Sequence, residues 1–215
     1  MINQTKVKTT TKIQIKKTTY KTLQINNHKY QYEDKKSKFI AHTYKINNKE
    51  QIKQIIKQLK IEHPKSNHTP YAFRLGIQNI EIGFSDDGEP TGSAGKPIYF
   101  EIKGKELQNI LICVVRYFGG IKLGVGGLTK AFSTAAKTVI EEKENKIIEK
   151  QICDTYKINF SYSNLKELEI FCIQNKFEII EKNFDENCKY QIEIPILKSK
   201  IIEDFLKLNE IKFQK

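Results

Sequence analysis

The chain has 215 residues, with 37 Lys plus Arg against 25 Asp plus Glu and a hydrophobic fraction of 39%. This length allows one domain or two small ones. The apolar content is enough for a packed core, which excludes wholesale disorder. No apolar stretch approaches the ~20 residues of a spanning helix, which excludes a transmembrane protein. The net charge of +12 lies in residues 1–70, which hold 16 lysines and four acids. Regions rich in Ile, Lys and Asn indicate codon drift, so the basicity is weak evidence for a nucleic-acid partner.

The first 19 residues predict a basic, disordered arm, because they carry five lysines and no acid and lack the continuous apolar core of a secretory signal. The four cysteines show no CxxC or zinc-like spacing and are flanked by apolar residues. We therefore expect mostly buried thiols and a cytoplasmic location.

Residues 20–84 predict strands around one helix. The segment 20–46 is extended, with a turn at Asn26 and Asn27, and alternation around Phe39 predicts a half-buried strand. Asn48 is placed to cap a helix that ends near residue 61, and residues 71–84 predict a strand pair.

The centre of the chain holds all 11 glycines, between residues 76 and 127. Residues 85–97 predict an irregular loop and 97–102 one short helical turn. The apolar run 110–116 predicts a central strand buried on both faces, and a glycine loop then leads to a helix over about 128–143.

After residue 144 the pattern changes to strand (155–162), helix, hairpin (177–184 and 189–196), helix (199–208) and a short tail. The order βαββα, closed or not by a last strand, is that of a split βαβ, ferredoxin-like domain. This part of the chain contains no glycine or histidine, so we expect it to be a binding or packing module.

Three carboxylates lie within four residues, at Asp86, Asp87 and Glu89. They could hold Mg²⁺ or supply a general base, or they could form a turn that accepts backbone N–H groups. A salt bridge to Arg74 or Arg116 is favoured over the metal, because these are the only two arginines of a lysine-rich chain and a guanidinium is not replaceable by lysine at a bidentate site.

The order strand, glycine loop (119–127) and helix can form an anion site, since unpaired N–H groups and the helix dipole meet there, and Lys122 and Lys130 could add charge. The loop matches neither the P-loop nor the dinucleotide fingerprint. Tight turns and close helix packing explain the glycines equally well. Tyr117 and Phe118 suit stacking on a base or packing on a neighbouring strand.

Two histidines, His63 and His68, could join the acidic cluster in a metal site, but a helix-terminal and a loop histidine are the favoured interpretation. No Ser-His-Asp or Cys-His arrangement is evident in the sequence.

Three segments of the chain resemble the YigZ/IMPACT family: SKFIAH (37–42), SDDGEPTGSAGKP (85–97) and VVRYFGGIKLGVGGLTKAFS (114–133). The resemblance covers residues 20–145 and implies an α/β domain with the ribosomal-protein second-domain fold, followed by a ferredoxin-like domain. It also implies a role in translation, since eukaryotic IMPACT is a translation regulator that competes for an activator of the amino-acid-starvation kinase. Lys38 and Lys130 stand where the family usually has arginine, and Pro70 and Phe132 replace the commoner Cys and Tyr.

The sequence thus predicts a two-domain α+β protein: a basic arm (1–19), an α/β sandwich of the ribosomal-protein second-domain type (20–145) and a ferredoxin-like βαββα(β) domain (146–215). The expected function is regulation of translation through RNA, the ribosome or a translation-regulatory protein, without a cofactor, metal or membrane. The alternatives are an enzyme acting on a phosphorylated or nucleotide-like ligand, which is less favoured, and a regulator that uses protein contacts only. The candidate ligand-binding residues are Lys38, His68, Arg74, Asp86, Asp87, Glu89, Arg116, Tyr117, Phe118, Gly119, Gly120, Lys122, Gly126, Gly127 and Lys130.

Overall fold

The computed structural model describes residues 17–215, so the predicted basic arm lies outside the described residues as far as residue 16. The described chain forms two compact units, Thr19–Gln151 and Ile152–Lys215. Each combines helices with a mainly antiparallel sheet, which confirms the two-domain α+β prediction. No helix within residues 17–215 is long and apolar enough to cross a bilayer.

The first unit contains seven strands and three helices. Its elements are β1 (Thr19–Leu23), β2 (His28–Asp34), β3 (Ser37–Lys45), α1 (Lys49–Glu62), β4 (Tyr71–Leu75), β5 (Glu81–Ser85), α2 (Gly95–Gly104), β6 (Ile110–Tyr117), α3 (Gly124–Glu141) and β7 (Ile147–Gln151). Five strands form one sheet in the order β2-β3-β6-β4-β5, and β1 pairs with β7 separately. Because of that pairing, the first unit ends at residue 151, beyond the predicted domain boundary at 145.

The core of the first unit lies on both faces of the five-stranded sheet. Along β6, Ile112 and Val114 pack with α2 and α3, while Cys113 and Val115 pack with α1 on the other face. The predicted central strand is therefore confirmed. The strand predicted around Phe39 is present as β3, in which Phe39, Ala41 and Thr43 are fully buried. On its other face Ile40 and Tyr44 are partly buried beside α1, and His42 is buried.

Three local predictions differ from the structure. The extended stretch 20–46 is interrupted by a second turn, at Lys35 and Lys36, which both have positive φ. Helix α2 has 10 residues rather than one turn. Helix α3 begins at Gly124 rather than near residue 128, so the last glycines of the motif belong to its first turn.

The second unit has the order βαββαβ. Its elements are β8 (Cys153–Phe160), α4 (Leu165–Asn175), β9 (Glu178–Phe184), β10 (Cys188–Pro195), α5 (Ser199–Leu208) and β11 (Lys212–Gln214). The sheet order β11-β8-β10-β9 is that of a ferredoxin-like domain, and the tail supplies its closing strand. Three cysteines of the chain are buried and Cys153 is exposed.

Candidate functional site

The loop between β5 and α2, called here the acidic loop (85–94), turns its first carboxylate onto backbone amides. Asp86 Oδ2 accepts a hydrogen bond from the N–H of Gly92 at 2.8 Å, and Oδ1 accepts from Ala94 and Gly95 at 3.0 and 2.9 Å. The amides of Ala94 and Gly95 lie at the start of α2, where N–H groups lack partners within the helix and the helix dipole favours an anion. Asp86 therefore fixes the beginning of α2, two residues before the start that the sequence predicts.

The second carboxylate of the acidic loop ties it to the segment that follows α1. Asp87 Oδ2 accepts from the backbone N–H of Thr69 at 2.8 Å, and Oδ1 forms an ion pair with Lys60 at 2.7 Å. His68 Nδ1 lies 2.7 Å from the carbonyl oxygen of Asp87, which requires the ring nitrogen to donate. Asp87 and His68 thus hold a turn in place, as the turn interpretation of this motif predicts.

The third carboxylate forms a buried ion pair. Arg116 Nη1 donates to both oxygens of Glu89, at 2.7 and 2.8 Å, and the two side chains are 8% and 1% exposed. The guanidinium also lies 5.6 Å from the ring centroids of Phe39 and Phe118, while its Nε is buried with no hydrogen-bond partner. The predicted salt bridge between this loop and an arginine is confirmed for Arg116.

All six carboxylate oxygens of the acidic loop therefore already have donors within the protein. Within the described residues 17–215 there is also no group of three His, Cys, Asp or Glu arranged to hold a metal ion. Arg74 does not join this loop: it is opposite Ile110 on β6, six residues along the strand from Arg116, or about 20 Å at the rise of a β-strand.

The loop between β6 and α3, called here the glycine loop (118–123), is anchored at its beginning. The N–H of Phe118 donates to Asn67 Oδ1 at 2.8 Å, and the N–H of Gly119 donates to Ser37 Oγ at 3.2 Å. A Cβ at Gly119 would lie 2.0 Å from the carbonyl carbon of Lys36, so only glycine fits there. The glycine loop and the β2–β3 turn are thus in direct backbone contact.

Side chains of the glycine loop and of the start of α3 are exposed to solvent. Phe118, Ile121 and Val125 are 45%, 44% and 58% exposed. A Cβ at Gly120 or Gly126 would meet nothing within 4 Å, so the packing of the chain itself does not require glycine at position 126. No side chain caps the first turn of α3.

Lysines surround this exposed loop. Lys36 adjoins Gly119, Lys38 pairs in register with Tyr117, and Lys122 and Lys130 lie in the loop and on α3. Within residues 17–215 none of these four lysines forms an ion pair, in contrast to the lysines at positions 21, 49, 60 and 105. We call the set the glycine-loop surface: Lys36, Lys38, Phe118, Ile121, Lys122, Val125 and Lys130.

The remaining candidates have mainly structural contacts. Tyr117 directs its hydroxyl to His63 Nδ1 at 2.8 Å, and the Cβ position of Gly127 lies 3.1 Å from Leu123. Sequence reasoning missed Lys36, Ile121 and Val125. Only the backbone contact at Gly119 brings Lys36 to the loop, so no sequence motif could have identified it.

A buried histidine adjoins these elements and was also missed. His42 is 5% exposed, neither ring nitrogen has a hydrogen-bond partner, and its ring centroid lies 5.8 Å from that of His63. Burial, assisted by repulsion from His63, lowers the pKa of His42 to about 4, so the ring is neutral at pH 7.

Both loops lie within the part of the chain that matches a known protein-family model. The Impact N-terminal domain matches residues 35–140. An IMPACT family member of Haemophilus influenzae is 34% identical over 161 residues, 74% of this chain and 77% of the relative, and IMPACT family member YigZ of Escherichia coli is 32% identical over 77% of this chain and 81% of its own. The crystal structure of a hypothetical protein superimposes with a TM-score of 0.69 at 25% identity, covering 92% of this chain and 97% of that one.

Proposed function

Since the chain belongs to the IMPACT family, we propose that it regulates translation by binding RNA through the glycine-loop surface. The observation that carries this proposal is the set of four lysines without carboxylate partners in, beside or just after a loop that exposes the aromatic ring of Phe118. Membership of the IMPACT family supports a role in translation, and the chemistry of this surface supports RNA as the partner.

The surface offers each kind of contact that RNA requires. Lysines that have no acidic partner are available for phosphates, and their charge makes binding dependent on salt. Phe118 can stack on an unpaired base, and the guanidinium of Arg116 lies 5.6 Å from the centroid of its ring. The uncapped first turn of α3 adds free N–H groups and the positive end of a helix dipole.

The test is binding of a fluorescein-labelled, single-stranded RNA of 20 nucleotides, measured by fluorescence anisotropy between 50 and 200 mM salt. We expect the variant K122Q/K130Q to bind at least about tenfold more weakly at 50 mM salt. The slope of log K against log [salt] should fall by about 0.7 for each lost phosphate contact.

The matched control removes two exposed lysines from α1, which lies on the opposite face of the sheet, in the variant K53Q/K57Q. The net charge of the two variants is the same. Equal losses of RNA affinity in both variants would show that binding depends only on the net charge of the protein. Absence of RNA binding at 50 mM salt would contradict the proposal. Capture of a protein from nuclease-treated lysate that depends on Lys122 and Lys130 would instead favour a regulator that acts through protein contacts.

A further inference from the structure

Strand β5 lies at one edge of the five-stranded sheet and, within residues 17–215, pairs only with β4. Edge strands are usually protected from further pairing by lysine, proline or a bulge. The sequence of β5, EIGFS, has none of these in its paired register. Its one charged residue, Glu81, is already paired with Lys49. The outer main-chain groups of β5 are therefore open to another strand.

An apolar patch accompanies this open edge. Ile82 and Phe84 are each 47% exposed, and Phe100 of α2 is 51% exposed. The ring of Tyr99 joins them, with centroids 6.0 Å from Phe84 and 5.9 Å from Phe100. We call these four residues the β5 patch. Such an exposed group of large apolar side chains beside an unpaired strand is typical of a protein contact site.

The charge beside the β5 patch is positive. Arg74 lies directly opposite Ile82 in the register, has a buried Nε without a hydrogen-bond partner, and forms no ion pair within the described residues. Lys96 lies 5.8 Å above the ring of Phe100. The nearby carboxylate of Asp86 is occupied by backbone amides. An incoming strand with carboxylates would therefore meet unpaired cations.

We propose that β5 accepts an extended segment of a partner protein, which carries apolar and acidic residues on the same face, as a sixth strand of the sheet. Main-chain hydrogen bonds supply part of the affinity, and alternate side chains select the sequence, since residues i and i+2 of a strand share one face. Arg74 is opposite Ile82 in the register and therefore lies on the face of the β5 patch. On that face the apolar side chains cover the patch, and the acidic ones pair with Arg74 and Lys96. This assigns a role to Arg74, which the acidic loop does not use.

A second copy of the chain is the less suitable occupant. The side chains that β5 itself has on the patch face are Ile82 and Phe84, so a second β5 would bring no carboxylate to Arg74 and Lys96. The proposal is also independent of RNA binding, because it uses none of the residues of the glycine-loop surface.

The test selects peptides from a display library of random dodecapeptides against the full chain. We expect enriched sequences with an apolar residue and an Asp or Glu two positions apart, since such residues share one face of a strand. A selected peptide, synthesised and measured by fluorescence anisotropy, should bind about tenfold or more weakly to F84S/F100S and also more weakly to R74Q. The control I173S removes a 76% exposed isoleucine from α4 and should bind normally, as should K122Q/K130Q.

Hydrogen exchange with the bound peptide identifies the strand, since addition at β5 protects amides within residues 81–84. If F84S/F100S does not fold, I82K blocks the same edge by placing a charge at a residue that is already half exposed. Selection of basic peptides, or of peptides without an apolar and an acidic residue two positions apart, would overturn the proposal. Unchanged binding by both variants, or protection of other amides, would do the same. So would a wild-type dimer in sedimentation velocity that I82K converts to a monomer, because β5 would then belong to a second copy.

Discussion

The acidic loop and the glycine loop differ in where their polar groups find partners. In the acidic loop, Asp86, Asp87 and Glu89 direct every carboxylate oxygen to a donor inside the protein. In the glycine loop, the backbone is anchored only as far as Gly119, and the lysines around it have no acidic partner within residues 17–215. The carboxylates of the acidic loop therefore have structural contacts, whereas the lysines around the glycine loop have no such contacts, and for this reason we propose binding at the second loop.

The largest expected effect lies in the acidic loop. Replacing Glu89 with alanine leaves Arg116 buried without a counter-charge, which should lower the free energy of unfolding by about 3–5 kcal/mol. Thermal or urea unfolding measures the loss. The surface pair Lys60–Asp87 provides the comparison, since K60A should cost less than about 1 kcal/mol. A loss of comparable size in both variants would contradict the distinction between a buried and an exposed pair.

A second prediction concerns His42, which belongs to neither loop and is buried without a hydrogen-bond partner for its ring nitrogens. Because the pKa of His42 is about 4 in the folded chain and near 6.5 when unfolded, the unfolded state binds more protons between these values. The free energy of unfolding should therefore fall as the pH drops from 6.5 to 4, by up to about 3 kcal/mol.

The variant H42F keeps an aromatic ring next to Tyr44 but cannot be protonated. Urea unfolding at pH 7, 6, 5 and 4 should show a smaller decline for H42F than for the wild-type chain. Parallel declines would show that the acid sensitivity comes from other groups.

The smallest effects compare two glycines of the same motif. G119A forces a Cβ against the backbone of Lys36 and should lower the free energy of unfolding by about 1–3 kcal/mol. G126A, in the open first turn of α3, should raise the free energy of unfolding by about 0.5–1 kcal/mol, because alanine has a higher helix propensity than glycine. Thermal unfolding of both variants distinguishes these signs.

Measuring RNA binding by G126A tests whether this glycine belongs to the proposed RNA-binding surface. If RNA approaches the backbone at Gly126, G126A should weaken binding in the anisotropy assay although it stabilises the fold. A G126A variant that is more stable and binds RNA normally would indicate that this glycine is not part of the interface.

Much of the fold was predictable because it depends on local patterns. The apolar run of β6, the Asn48 cap of α1 and the hairpin of the second unit all follow from short-range chemistry. The starts of α2 and α3 were not predictable, because Asp86 binds the first amides of α2 from eight or nine residues away and because glycine has a low intrinsic helix propensity. The Impact N-terminal match supports the family, while the functional assignments of the individual loop residues stay predictions.

The sequence by itself determined the two-domain α+β class, the family and the segment in which the unusual residues cluster, because these depend on periodicity and on the order of residue types along the chain. Only the tertiary structure decided which arginine pairs with Glu89, that Arg74 lies beside an open sheet edge, and that Lys36 joins the glycine loop. These are contacts between residues far apart in sequence. Ion pairing, burial and strand register are set by the packed chain, and no local pattern encodes them.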